Sequence, residues 1–228
     1  MYGTCPATSS PTDPRVPRPT AALPAALITT VPADTSVWRI HSATRGAADL
    51  NPTPRPRVRT GGRFDSLDGS YAYLYVGDSP AAAVAETLCR NLPVDQSPRL
   101  IPRIQVRGRV LSELRTTRPV RVADLTGTGA ARLNADVWLT KCDPSGYLAT
   151  RRWAAAVLAA NPDIDGLQYR PRHDENNLAW MLAAGPTVTA HPAVSAVSAV
   201  GGVVPLDSAD GHYLLGALLT AHNAALAP

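Results

Sequence analysis

The chain is most tightly constrained between Gly61 and Arg90, where the residues run GGRFDSLDGSYAYLYVGDSPAAAVAETLCR. Tyr71–Val76 alternates aromatic and aliphatic residues, a pattern that suits a pleated, half-buried strand. Gly77-Asp78-Ser79 then reads as a turn, with Ser79 placed to cap a helix and Pro80 to occupy its first position. The spacing predicts a helix over Ala81–Asn91 that is nearly all Ala, Val and Leu, so most of its circumference can pack. Glu86 is the one acid in that helix. A carboxylate on such a helix is paired, exposed or employed, because burying it alone is costly. Arg90 lies four residues on, in the favourable order for a surface ion pair, and that pairing competes with any chemical role.

The rest of the chain supplies the context for Glu86. A length of 228 residues, 45% of them hydrophobic, supports one ordinary domain with a real core. Met1–Val31 is rich in Pro, Thr, Ser and Ala without periodicity and is expected to be a flexible leader, within a leader region of 1–33. It lacks the basic start and apolar core of a secretory signal. No stretch approaches the roughly 18 apolar residues of a membrane span, so a cytoplasmic protein is expected by default. Cys5, Cys89 and Cys142 are odd in number and widely spaced, which favours reduced thiols and argues against zinc. The histidines show no metal-ligand spacing either, and no metal site is expected.

The net charge of +4 invites an anionic partner. Yet Lys141 is the only lysine among 22 basic residues, and the arginines are spread along the chain, with one denser run at Arg55-Pro56-Arg57-Val58-Arg59. Neither a helix-turn-helix nor aromatic platforms accompany them, so direct nucleic-acid binding is not expected.

Outside the central stretch, Val37–Ile40 reads as a strand in which Arg39 points away from the face of Trp38 and Ile40. His41–Thr60 reads as loop. Gly61-Gly62-Arg63-Phe64 reads as a turn that sets Arg63 beside the only phenylalanine. Further strands are expected at Leu100–Val106, Arg109–Leu114, Val120–Leu125, Leu167–Tyr169 and Asn177–Ala184. A helix or irregular piece is expected over Arg132–Leu139, a convincing helix over Tyr147–Ala160, and a terminal helix over Gly211–Leu226. Strands and helices mix without βαβ alternation or a GxGxxG, which favours α+β over a dinucleotide-binding doubly wound fold.

In order along the chain come Trp38-Arg39, Arg63-Phe64 after two glycines, Tyr73-Leu74-Tyr75-Val76, Ala83-Val84-Ala85-Glu86, the strand end VADLT, Tyr147 with TRRWA, and DGLQYRPRHD. Together they resemble the RES domain family, named for its arginine, glutamate and serine, over about Val37–Ala184. The resemblance implies a RES domain over 34–190, followed by an extension over 191–228 that carries the terminal helix. It implies a single compact ADP-ribosyltransferase-like domain with a mixed central β-sheet flanked by helices. It also implies a bacterial, toxin-type enzyme that breaks the nicotinamide–ribose bond of NAD+ with water or phosphate, silenced by an Xre-type antitoxin partner. NAD+ is then substrate, with no further cofactor.

On that resemblance Glu86 is the catalytic carboxylate, opposing the positive charge that develops on the ribose, and Arg39 and Tyr75 are the catalytic candidates beside it. Arg39 and Arg63 bind the diphosphate, since guanidinium forks match phosphate oxygens. Tyr75, with Tyr73 beside it, offers a ring to stack on nicotinamide, and Arg172 adds an adenine-side or phosphate contact. One position departs from the family: Pro171 stands where the late motif carries serine, removing a hydroxyl and a backbone N–H. The missing hydrogen bond then falls to Ser145, Thr150 or another hydroxyl. Two alternatives stay open: transfer of ADP-ribose to a protein, and a degenerate fold that binds without catalysing. Self-association is also left open.

Overall fold

The computed structural model describes residues 18–19, 22–57, 61–197 and 202–228. Its centre is a mixed sheet of nine strands. In chain order these are β1 (Ile28–Val31), β2 (Ser36–Ser42), β3 (Ala72–Gly77), β5 (Arg109–Thr116), β6 (Val120–Asp124), β7 (Gly166–Tyr169), β8 (Ala179–Ala184), β9 (Val194–Ala196) and β10 (Val203–Pro205). The sheet runs β1-β6-β7-β8-β3-β2-β5-β10, with β9 also on β5, and every pair is antiparallel except β6–β7. The short strands β4 (Leu100–Ile101) and β11 (Ala225–Leu226) pair separately. The expected α+β class, with a mixed sheet flanked by helices, is what the chain adopts.

Alternation along each strand sorts the core into two sides. Leu74, Val76, Val122, Trp180 and Leu182 pack on one face, under the segment that carries Ala47 and Leu50. On the other face, Tyr71, Tyr73, Leu167 and Met181 pack against α4 (Tyr147–Ala160) through Trp153 and Val157. Farther along that face, Ile40 and Leu111 pack under α1 (Pro80–Val84) and α5 (Ala209–Thr220). Trp38 and Ile40 share that last cluster while Arg39 faces the opposite side, as the strand alternation predicts.

Local chemistry accounts for several boundaries. Ser79 Oγ accepts from the Ala82 amide at 3.1 Å and Pro80 starts α1. Gly77 lets this helix close on the strand end, since a Cβ there would stand 2.5 Å from that of Ala82. The helix expected over Ala81–Asn91 is not uniform: after Val84 it widens into a π-helical turn over Ala85–Cys89 that carries Glu86. Such turns are uncommon and cluster at functional sites.

Other expectations change. Ile28–Val31, inside the stretch read as leader, is a strand on β6, and β9 and β10 bring residues beyond 190 into the main sheet. Leu100–Val106 is strand only at Leu100–Ile101. Pro102 removes a ladder donor, and Arg103–Gln105 forms a 3-10 turn. The terminal helix ends at Thr220, well before Leu226. Arg132–Leu139 divides between the end of α2 (Gly127–Arg132) and the start of α3 (Trp138–Lys141). Cys89 and Cys142 are buried and not disulfide-bonded, whereas Cys5, Val58 and Arg59 lie outside the described residues. No described helix is long and apolar enough to cross a membrane.

Candidate active site

Neighbouring β2 and β3 pair at a single position, Trp38 with Gly77. Beyond it they part, because Asn51 takes the edge of β3: its amide donates to the Tyr73 carbonyl at 2.7 Å and its carbonyl accepts from the Tyr73 amide at 3.1 Å. A cavity of about 200 Å³ opens there. One wall is Arg39 and Ile40, and the other is Tyr73, Leu74 and Tyr75. Glu86, Thr87 and Arg90 border it from the helix, while Gly61, Gly62 and Asp65 of the glycine turn close another side.

Glu86 is 7% exposed. Among the described residues its carboxylate closes no ion pair; Arg90 also lines the cavity but does not pair with it. The π turn explains why: it bonds i to i+5, so the i+4 neighbour no longer stands over Glu86 as it does in an α-helix. Burial pushes the carboxyl above its ordinary value of 4.5, while the nearby Arg63 and Arg90 charges pull it down. The buried Tyr169 hydroxyl faces the Glu86 carboxylate and helps to hold its pKa down, without closing a full hydrogen bond. A carboxylate and a phenol are thus held out of water near the cavity without being used up by the fold.

Arg39 is 9% exposed and donates from one nitrogen, Nη1, to the carbonyls of Ala47 at 2.5 Å and Asp49 at 2.7 Å. Burial brings its pKa down to about 10. Nε and Nη2 make no hydrogen bond to any described residue, which leaves one edge of the fork available at the cavity. Tyr75 places its ring on the wall, but its hydroxyl is committed. It donates to Asp65 Oδ1 at 2.7 Å and accepts from the Phe64 amide at 2.9 Å. The Tyr73 hydroxyl is engaged by Thr53 and Asn51. Both tyrosines therefore offer rings, not protons.

Two expected ligands sit elsewhere. Arg63 does not line the cavity: it is 2% exposed, donates to the Cys142 carbonyl at 3.0 Å and lies over the Tyr147 ring at 5.1 Å. Burial disfavours its charge, but Cys142, Tyr147 and Glu86 outweigh that and raise its pKa, so it is a fixed cation behind the carboxylate. Arg172 does not line the cavity either. It donates to the Arg90 carbonyl at 3.3 Å, tying the late loop to the end of the Glu86 turn. Pro171 is buried and off the cavity, with its carbonyl accepting from Lys141 Nζ at 2.6 Å. Neither expected hydroxyl substitute reaches the cavity, because Thr150 donates to the Arg63 carbonyl and Ser145 to Asp143.

Sequence reasoning missed Arg55, Arg109 and Asn51 as lining residues, and Tyr169 as a neighbour of Glu86. Arg55 stood in the densest basic run, and Arg90 was visible only as an ion-pair partner. Nothing local marked Arg109.

Comparison with curated proteins found no match. Among solved structures, a chain of the crystal structure of the M. tuberculosis MbcT–MbcA toxin–antitoxin complex is similar, at 16% identity and a TM-score of 0.48. The match covers 77% of this chain and 85% of that one. The model of the family described as the RES domain matches residues 36–201. With most of its length inside that match, the chain belongs to the RES domain family.

Proposed function

We propose that this protein cleaves the nicotinamide–ribose bond of NAD+, passing the ADP-ribosyl group to water or phosphate. The observation that carries this reading is Glu86: a buried carboxylate bordering a cleft, close to a fixed cation, with no ion pair closed upon it by any described residue. Departure of nicotinamide leaves positive charge on the ribose, and a carboxylate held out of water opposes such charge more strongly than one in solvent. The leaving group is already cationic when bound, so no protein acid is needed to expel it. This agrees with the hydroxyls of Tyr73 and Tyr75, which are committed to the fold.

Arg39, with its free guanidinium edge, and Arg55 hold the diphosphate on the loop side of the cleft. The Tyr75 ring supplies the flat surface for nicotinamide. The cavity itself suits a ribose and one ring, and the rest of the dinucleotide lies along the open lip. Toxicity when the protein is free, cytoplasmic action on the NAD+ pool, and silencing by an antitoxin that carries an Xre-type helix-turn-helix complete the reading. They rest on family resemblance, not on the cleft.

Purified protein given NAD+, in buffers with and without phosphate, is expected to release nicotinamide. Glu86→Gln is expected to lower the rate by about 10² to 10³, the scale for removing one electrostatic stabiliser. Equal rates in the two proteins, with both folded, would remove Glu86 from the chemistry.

A further inference from the structure

The diphosphate side does not use all of the positive charge in the cleft. Among the described residues, four arginines line it (Arg39, Arg55, Arg90 and Arg109) against two acids, Asp65 and Glu86. Asp65 is occupied by the Gly62 amide at 2.7 Å and by the Tyr75 hydroxyl. Arg109 and Arg90 form a separate group. Arg109 pairs with Ser42 across the β2–β5 ladder, which puts its side chain on the face of Ile40 and the helix, the side from which Arg90 comes. Arg39 belongs to the opposite face, where it grips Ala47 and Asp49.

Neither Arg90 nor Arg109 forms an ion pair or a side-chain hydrogen bond with any described residue, and both are half-buried. They are close enough for the Arg90 charge to add to burial in lowering the Arg109 pKa. Two guanidiniums that repel each other in a partly dry cleft are stabilised by an anion between them, and a phosphate dianion matches two forks at once. A diphosphate seated at Arg39 leaves this pair vacant.

We propose that Arg90 and Arg109 form a second anion subsite that takes a phosphate dianion, and that the cleft therefore favours a substrate carrying one phosphoryl group more than NAD+. The dianion can come from the 2′-phosphate of NADP+ or from free orthophosphate. The substrate preference rests on the reading of the cleft as a dinucleotide site; the subsite itself does not.

Two measurements on the full chain at low ionic strength separate these parts. In the first, calorimetry is run with orthophosphate alone and with 2′-AMP on the wild type, Arg109→Gln and Arg90→Gln. Arg109 stands on a half-exposed strand start and Arg90 at a helix end, so two independent variants guard against a folding failure. Binding of either phosphate compound that weakens about tenfold or more in both variants is the expected result. Identical binding in all three proteins, or none, overturns the subsite. Binding confined to 2′-AMP assigns the dianion to the ligand's own ester, and equal binding of orthophosphate assigns it to the free ion.

In the second measurement, nicotinamide release is compared for NADP+ and NAD+. The ratio of their kcat/KM values is expected to favour NADP+ by about tenfold and to fall toward unity in Arg109→Gln. A ratio near one in the wild type overturns the substrate preference. Release from NAD+ that depends on Glu86, without Arg109-dependent phosphate binding, keeps the proposed function and removes the subsite. Phosphate binding that depends on Arg109, without cleavage of either dinucleotide, does the reverse.

Discussion

Arg151 and Arg39 are both buried arginines, one on α4 beneath the glycine turn and the other on β2 at the lip of the cleft. Arg151 is fully buried and, among the described residues, donates to the carbonyls of Gly62 at 3.0 Å, Arg55 at 2.7 Å and Arg57 at 2.8 Å. Beside it, Thr150 bonds the Arg63 carbonyl at 2.6 Å. This shelf satisfies backbone groups that the glycine turn would otherwise bury unpaired. Gly61 within that turn has a φ of +84°, which glycine adopts without a Cβ penalty. Arg39 is bonded through one nitrogen and open along its other edge, and Glu86 nearby is open as well. Burial is common to both regions. What separates the structural arginine from the one proposed to bind a ligand is how much hydrogen-bonding capacity the fold has already consumed.

Substituting each arginine in turn tests the distinction with the largest effects. Arg151→Met leaves three carbonyls without a donor and is expected to cost about 3 kcal/mol, lowering the thermal midpoint by roughly 6–12 °C. Arg39→Lys retains a cation that can still reach Ala47 but loses the fork. Its expected effect is a KM for NAD+ raised about tenfold, with the midpoint shifted by less than about 3 °C. If Arg39→Lys instead lowers the midpoint as far as Arg151→Met does and leaves KM alone, Arg39 belongs to the shelf and the distinction fails.

Much of the difference between the two regions lies beyond sequence patterns. Strand alternation placed Arg39, the Ser79-Pro80 pair placed the start of α1, and apolar spacing gave α4 with its observed bounds, because each depends on neighbours within a turn or a strand. The burial of Arg63 depends on Cys142, 79 residues away. The cleft depends on Asn51 displacing β2 from the edge of β3. Both arise from contacts between distant segments, which no local spacing encodes. The π turn belongs to the same group: Ala85, Glu86 and Leu88 are good α-helix formers, and nothing in the local sequence says that the turn widens there. Glu86, Arg39 and Tyr75, singled out from the sequence, do line one cavity. The division between lining and supporting residues was not legible, as Arg63 and Arg172 show.

A smaller effect tests whether Glu86 is held at a cost, as a group reserved for a ligand should be. Its carboxyl is shifted upward by burial, so the folded state resists ionising it more than the unfolded chain does. The stability linked to this group is fully present below the ordinary glutamate value of 4.5 and is lost as pH rises through the higher folded value. Glu86→Gln removes that loss. The variant is expected to melt above the wild type at pH 7.5, with the gap closing below about pH 4.5. A variant that is less stable at pH 7.5 would mean that Glu86 is paired within the fold and belongs with the shelf.

The smallest expected effect concerns Pro171. Its side chain is buried away from the cavity, and the interaction its backbone supplies is through the carbonyl that accepts from Lys141 Nζ. Serine keeps that carbonyl, so Pro171→Ser leaves the Lys141 clamp in place and adds a hydroxyl outside the cleft. Nicotinamide release is expected to stay within about threefold of the wild type, the scale of a substitution that touches no ligand. A hydroxyl that did reach bound NAD+ would contribute a hydrogen bond worth about tenfold in rate or affinity. A gain of that size would show that the late loop folds over the cleft when the ligand enters. Pro171 would then join the cleft as a residue that restrains activity, and the boundary with the shelf would run through the loop that Lys141 holds.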